Sequence, residues 1–168
     1  MDHAQRAKTL FVEGYNCAQA VFMAFCEDRL GTKEAARLAS CFGGGVGGMR
    51  GMCGALSGML MAYGLLRGYD DPADRTVKAE QYVTVQALAA RFKVENGSTV
   101  CRELLGLDEN DCPRPPQART PGYYASRPCP ELVASAAQIL DAYLAENTAD
   151  ISDSGNSSEK NPHNSVSG

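Results

Sequence analysis

The chain has 168 residues and a formal net charge of −4. That is long enough for one domain with a single core, and too acidic, with Lys and Arg scattered rather than striped, to suit a nucleic-acid partner. Seven cysteines stand against only two histidines, His3 and His163, one near each end. This balance disfavours serine or cysteine triads, His-rich metal sites and an axial haem ligand, and without a Cys-x-x-Cys-His there is no covalent haem attachment. Sulfur is the remaining chemistry.

The opening Met1-Asp2-His3-Ala4-Gln5-Arg6 has no apolar core and no small-residue cleavage site, so it does not read as a secretory signal. A cytoplasmic location follows as an expectation, with thiols that are reduced, metal-bound or redox-paired rather than a structural disulfide framework. Ala4, Ala7, Leu10 and Phe11 mark a first helix closing near Gly14. Asn16 caps a second, with Cys17, Val21, Ala24 and Phe25 on one face, ended by Gly31. Thr32 caps a short third helix through roughly Ser40. Gly43-Gly44-Gly45-Val46-Gly47-Gly48 is then a loop.

A fourth helix runs from about Met52 to Leu66. Residues 51–66 carry no charge, but a membrane span needs about 20 mainly apolar residues, and Gly51, Gly54, Gly58 and Gly64 between Arg50 and Arg67 favour a buried central helix. Pro72 and Asp74 open a long fifth helix with Val77, Ala79, Tyr82, Val83, Leu88 and Phe92 as its expected buried side. Asn96-Gly97 ends it, and Ser98 or Thr99 caps a short sixth through Leu105. Five prolines make residues 106–128 an irregular surface connection. Cys129-Pro130 starts a last helix facing Leu132, Val133, Ala136, Ile139, Leu140 and Tyr143 inward. No run alternates with period two. The expected fold is therefore all-α, a compact single-domain bundle of about six to seven helices over residues 1–146 with a Gly-rich loop, followed by a disordered polar tail at 147–168.

Gly43, Gly45 and Gly48 formally satisfy GxGxxG, but the dinucleotide fingerprint needs a preceding strand and a βαβ unit, so no nucleotide is expected. The loop either offers backbone amides to an anion or simply lets helices pack closely. The cysteines are more specific. Cys17, Cys53, Cys101 and Cys129 all fall at expected helix starts, where unpaired amides and the helix dipole favour a thiolate. Cys26 lies in a last helical turn, Cys41 precedes the glycine loop and Cys112 precedes Pro113. There is no Cys-x-x-Cys pair for a zinc knuckle or a thioredoxin-like motif, so any site must be assembled from separate segments. Four converging thiolates suit an iron–sulfur cluster; two suit a reversible disulfide. Gly54 and Gly58, four apart, permit close approach of another backbone.

Five stretches carry a resemblance: Gly14-Tyr15-Asn16-Cys17-Ala18-Gln19-Ala20-Val21, Phe42-Gly43-Gly44-Gly45, Cys53-Gly54-Ala55-Leu56-Ser57-Gly58, Cys101-Arg102-Glu103-Leu104-Leu105-Gly106 and Cys129-Pro130-Glu131-Leu132-Val133. Over about residues 5–145 the chain resembles the redox-active protein family named for its C-GCAxxG-C-C pattern, although the order here is Cys53-Gly54-Ala55. The resemblance implies that Cys17, Cys53, Cys101 and Cys129 are the signature cysteines and that the role is redox. Related domains stand beside haem domains in split-Soret cytochromes, where an iron–sulfur centre is inferred.

The leading expectation is a cytoplasmic electron-transfer protein in which these four cysteines hold an iron–sulfur cluster or similar metal centre, with Gly43, Gly44, Gly45 and Gly54 against the cofactor. The alternative is a metal-free dithiol/disulfide oxidoreductase or switch. A second alternative is a non-enzymatic helical interaction module or a structural zinc site. No haem, no nucleic acid and no stable membrane insertion are expected, and no particular redox partner protein, substrate or oligomeric state is implied.

Overall fold

A computed structural model describes residues 2–108 and 116–147. They form eight α-helices: α1 (His3–Val12), α2 (Cys17–Leu30), α3 (Thr32–Ala39), α4 (Gly54–Arg67), α5 (Arg75–Asn96), α6 (Cys101–Leu104), α7 (Pro121–Ala125) and α8 (Cys129–Glu146). A 3-10 turn at Ser40–Phe42 follows α3, and the only β pairing among the described residues is an isolated bridge between Met52 and Val100. The fold is all-α, with one helix more than the sequence spacing suggests. Cys112 and residues 148–168 of the expected polar tail lie outside the described residues.

Helix α2 is the hub, packed against α1, α3, α4 and α8. Its spacing suggests one buried face, but Ala18, Ala20, Val21, Phe22, Met23, Phe25 and Cys26 are all buried. A helix covered on several sides has no need of an amphipathic stripe. The outer helices keep theirs. α1 buries Ala4, Ala7, Leu10 and Phe11, and α8 buries Leu132, Val133, Ala136, Ile139 and Leu140, each large side chain contributing roughly 1.5–3 kcal/mol. In α4, Gly54–Met59, Ala62 and Tyr63 are buried, and no helix among the described residues is long and apolar enough to cross a membrane.

Glycine sets the α2–α4 crossing. A Cβ on Gly58 would stand 2.5 Å from the Ala18 carbonyl oxygen, and one on Gly54 would stand 3.1 Å from Cys17 Cβ. The close approach that the small residues permit is therefore realised, and it draws the start of α4 to the start of α2.

Two expectations need correction. In α5 only Leu88 and Phe92 are buried, whereas Ala79 is exposed and Val77, Tyr82 and Val83 stand 41%, 53% and 67% exposed. The helix meets α8 and α4 through its C-terminal half, where Val85 and Ala89 also pack, and its first turns project past them. Apolar spacing marks a face but not how far along the helix a neighbour reaches. Within the proline-rich connection, Thr120 accepts from the Tyr123 amide at 3.2 Å and Pro121 takes the first helical position, giving α7 in place of irregular chain.

The start of α5 matches expectation: the Asp74 carboxylate accepts from the Thr76 and Val77 amides at 3.1 and 2.9 Å. Asp74→Ala removes this cap and should cost about 1 kcal/mol, lowering the thermal midpoint followed by circular dichroism by roughly 2–4 °C. An unchanged midpoint would show that α5 needs no cap.

Candidate redox centre

Each signature cysteine sits at a helix start. Cys17 is the first residue of α2, Cys53 the N-cap of α4, Cys101 the first residue of α6 and Cys129 the first residue of α8. At Cys17 the reason is a capping box, in which Asn16 Oδ1 accepts from the Gln19 amide and Gln19 Oε1 accepts from the Asn16 amide, both at 3.0 Å. The same side chains reach outward. Asn16 Nδ2 donates to the Ser40 carbonyl at 3.0 Å and Gln19 Nε2 to the Ala36 carbonyl at 2.9 Å, fixing Cys17 relative to α3 and the 3-10 turn.

Cys53 and Cys101 are each tied to the other's segment. The Cys53 amide donates to the Thr99 carbonyl at 2.8 Å and the Cys101 amide to the Gly51 carbonyl at 2.7 Å, either side of the Met52–Val100 bridge. The glycine loop makes room for this. Gly44, Gly45, Val46, Gly47 and Gly48 all lie at positive φ, as does Arg50, so the chain turns left-handed between the 3-10 turn and Cys53. For Val46, at φ 63°, and Arg50, at φ 60°, that is a costly conformation for an L-residue. A Cβ on Gly43 would stand 2.5 Å from Asn16 Cβ, and one on Gly45 would stand 2.6 Å from Cys101 Cβ. Gly43, Gly44, Gly45 and Gly54, expected against a cofactor, thus lie against Asn16, Arg50, Cys101 and Cys17 respectively.

The four thiols influence one another, so the fold brings all four to one place. Cys53, Cys101 and Cys129 are buried and Cys17 is half-buried. The closest association is Cys17 with Cys129. The Cys17 thiol donates its proton toward Cys129, which with burial raises Cys17 well above the ordinary thiol value. The same hydrogen bond, aided by the Arg127 and Arg119 guanidiniums and opposed by burial, lowers Cys129 to about 7. Of the two, Cys129 at the start of α8 is the one inclined to ionise and Cys17 the one held protonated. Burial pushes Cys53 up to about 11 against the pull of the Leu56 and Ala55 amides, and raises Cys101 against a hydrogen bond from Arg50.

The remaining thiols stand apart. Cys26 is buried within α2, its thiol pushed up to about 11 by burial, and Cys41 is exposed. Arg50, Arg119 and Arg127 join the site without having been singled out by any sequence motif. Arg50 stands three residues before Cys53 and Arg127 two before Cys129, whereas Arg119 lies ten residues from the nearest recognised stretch. Among the described residues no three Cys, His, Asp or Glu side chains are placed to hold a single metal ion.

These features describe a helical protein with four cysteines at distant helix starts, close enough to influence one another. A family match agrees: residues 15–143 match the family described as "Putative redox-active protein (C_GCAxxG_C_C)", and the chain belongs to it. No curated protein and no solved structure matches the chain.

Proposed function

We propose that this protein is a dithiol/disulfide redox protein whose working pair is Cys17 and Cys129. What supports the reading is the pairing of these two thiols at the starts of α2 and α8, with Arg119 and Arg127 placed to favour the Cys129 thiolate. In exchange with a disulfide substrate, the Cys129 thiolate attacks one sulfur and the other leaves as a thiol after protonation. Cys17, once deprotonated, then displaces the remaining half as a second thiol and closes the Cys17–Cys129 disulfide. Two protein thiols are oxidised and one substrate disulfide is reduced to two thiols. Cys53 and Cys101, with raised values, stay protonated alongside.

A second reading is favoured by one observation, the meeting of all four thiols. Cys17, Cys53, Cys101 and Cys129 would together supply an all-sulfur donor set of the kind that iron–sulfur clusters take, and such a cluster would supply one-electron transfer. It would require Cys17 and Cys129 to give up their mutual hydrogen bond.

The test is purification without oxygen, iron and sulfide assay, and thiol counting across a redox-buffer titration. The dithiol reading expects no stoichiometric iron or sulfide and the reversible loss of two thiols, mapped by peptide mass to Cys17 and Cys129. Stoichiometric iron and sulfide with a visible chromophore would replace it with the cluster reading.

A further inference from the structure

A cleft of about 210 Å³ opens beside the thiol site; its described lining holds no cysteine, but it includes chain neighbours of both Cys17 and Cys129. Asn16, the residue before Cys17, lines it, as does Arg127, two residues before Cys129, whose charge favours the Cys129 thiolate. Three guanidiniums share its wall, Arg50, Arg119 and Arg127, and no carboxylate is among the described residues lining it.

Apart from the Cys129 sulfur, whose anion Arg119 and Arg127 favour, the groups holding these guanidiniums are rings and neutral acceptors. Arg119 lies 4.5 Å from the Phe11 ring centroid and 4.7 Å from that of Tyr123, and Arg127 lies 4.6 Å from the Tyr123 centroid. Arg119 Nη2 donates to the Tyr15 carbonyl at 3.2 Å and Arg127 Nη2 to Gln117 Oε1 at 2.6 Å, both neutral acceptors. None of the three is in an ion pair among the described residues. Arg50 is only 7% exposed, and among the described residues its buried Nε has no hydrogen-bond partner; nor does the buried Nη1 of Arg119. A buried charged donor left unmatched is unfavourable, and three cations around one cleft add mutual repulsion. An anion in the cleft relieves the repulsion. The glycine turn lets it in: a Cβ on Gly44 would stand 3.3 Å from Arg50 Nη1, so the bare backbone at 44 keeps that guanidinium uncrowded.

We propose that this cleft binds an oxyanion group, a carboxylate or a phosphate, carried by the small-molecule disulfide or thiol that exchanges with Cys129. The attached sulfur rests on the dithiol reading, whereas the anion site rests on the arginines alone. Guanidiniums match both groups through paired N–H donors, and their position beside Cys129 delivers an anionic substrate to the thiolate while screening the repulsion between the two negative charges.

The experiment uses two alkylating reagents that differ in charge, iodoacetate and iodoacetamide, on the reduced full-length protein at pH 7, with Cys129 followed by peptide mass. The ratio of their rate constants divides out the thiolate fraction and needs no disulfide to form, so it stands or falls independently of the dithiol reading. The ratio should exceed that of free cysteine at least tenfold. Inorganic phosphate or acetate at constant ionic strength should bring it down, and whichever competes at lower concentration identifies the preferred group. Arg127→Gln and Arg50→Gln should each lower the ratio at least threefold, while Arg91→Gln, in a distant exposed pair, should not. A ratio equal to that of free cysteine, or one unmoved by both competitors, would overturn the proposal even if an arginine variant failed to fold.

Discussion

Cys17→Ser and Cys129→Ser are each expected to abolish the two-thiol oxidation completely, whereas Cys53→Ser and Cys101→Ser should leave both thiols titrating. The asymmetry follows from the geometry. Only Cys17 and Cys129 shift each other through a mutual hydrogen bond; Cys53 and Cys101 meet across a backbone bridge, and burial raises both. A cluster predicts the opposite pattern, since loss of any one of four ligands would reduce bound iron. Cys17→Ala adds a pH-resolved check, because alanine cannot replace the donated proton. Without that hydrogen bond, the largest influence lowering Cys129, its value should climb from about 7 toward the ordinary 9. Moving to 8 alone would reduce the thiolate at pH 7 from about half to about a tenth, so alkylation of Cys129 should slow roughly fivefold or more and its pH midpoint should move upward. Equal rates in Cys17→Ala and the parent would mean that the arginines alone hold Cys129 down.

Gly45→Ala is the second large effect. Gly45 lies at φ +69°, where an L-side chain costs roughly 1–2 kcal/mol. The added Cβ would also fall 2.6 Å from Cys101 Cβ and 2.8 Å from the Arg50 backbone, an overpacking worth about 1–3 kcal/mol more. The combined loss of about 2–5 kcal/mol should lower the thermal midpoint of the reduced protein by roughly 10 °C. Gly106→Ala is the comparison, since Gly106 sits at φ +60° with nothing within 4 Å of where its Cβ would stand, and so carries the conformational cost alone. Equal losses in the two variants would show that the close approach to Cys101 and Arg50 is easily relaxed.

The helix starts were legible because their signals are local. Asn16 with Gln19, Asp74 before its helix, and Asn96-Gly97 after it each act within a few residues, and so the four cysteines could be placed at helix starts before any fold was known. The meeting of those starts was legible only through family resemblance, since no spacing along the chain says that residues 17, 53, 101 and 129 share a place. The arginines were not legible. Arg50 owes its position to a left-handed turn that even Val46 joins, and Arg119 to a stack on Phe11 and Tyr123 from two other segments. The misread face of α5 has the same origin: periodicity reports which side is apolar, and only the lengths and placement of neighbours decide how much of it is covered.

Cys17 and Cys129 are more than a hundred residues apart in the sequence, yet adjacent in the fold. A disulfide between them would close a loop spanning most of the domain, restricting the unfolded chain by about 4–5 kcal/mol on the chain-entropy view. Thermodynamic reciprocity then runs the other way: whatever the crosslink lends to folding, folding lends to the crosslink. The electron affinity of this pair is thereby tied to the integrity of the whole helical domain, and a chain that loosens at any of the helix starts becomes easier to reduce.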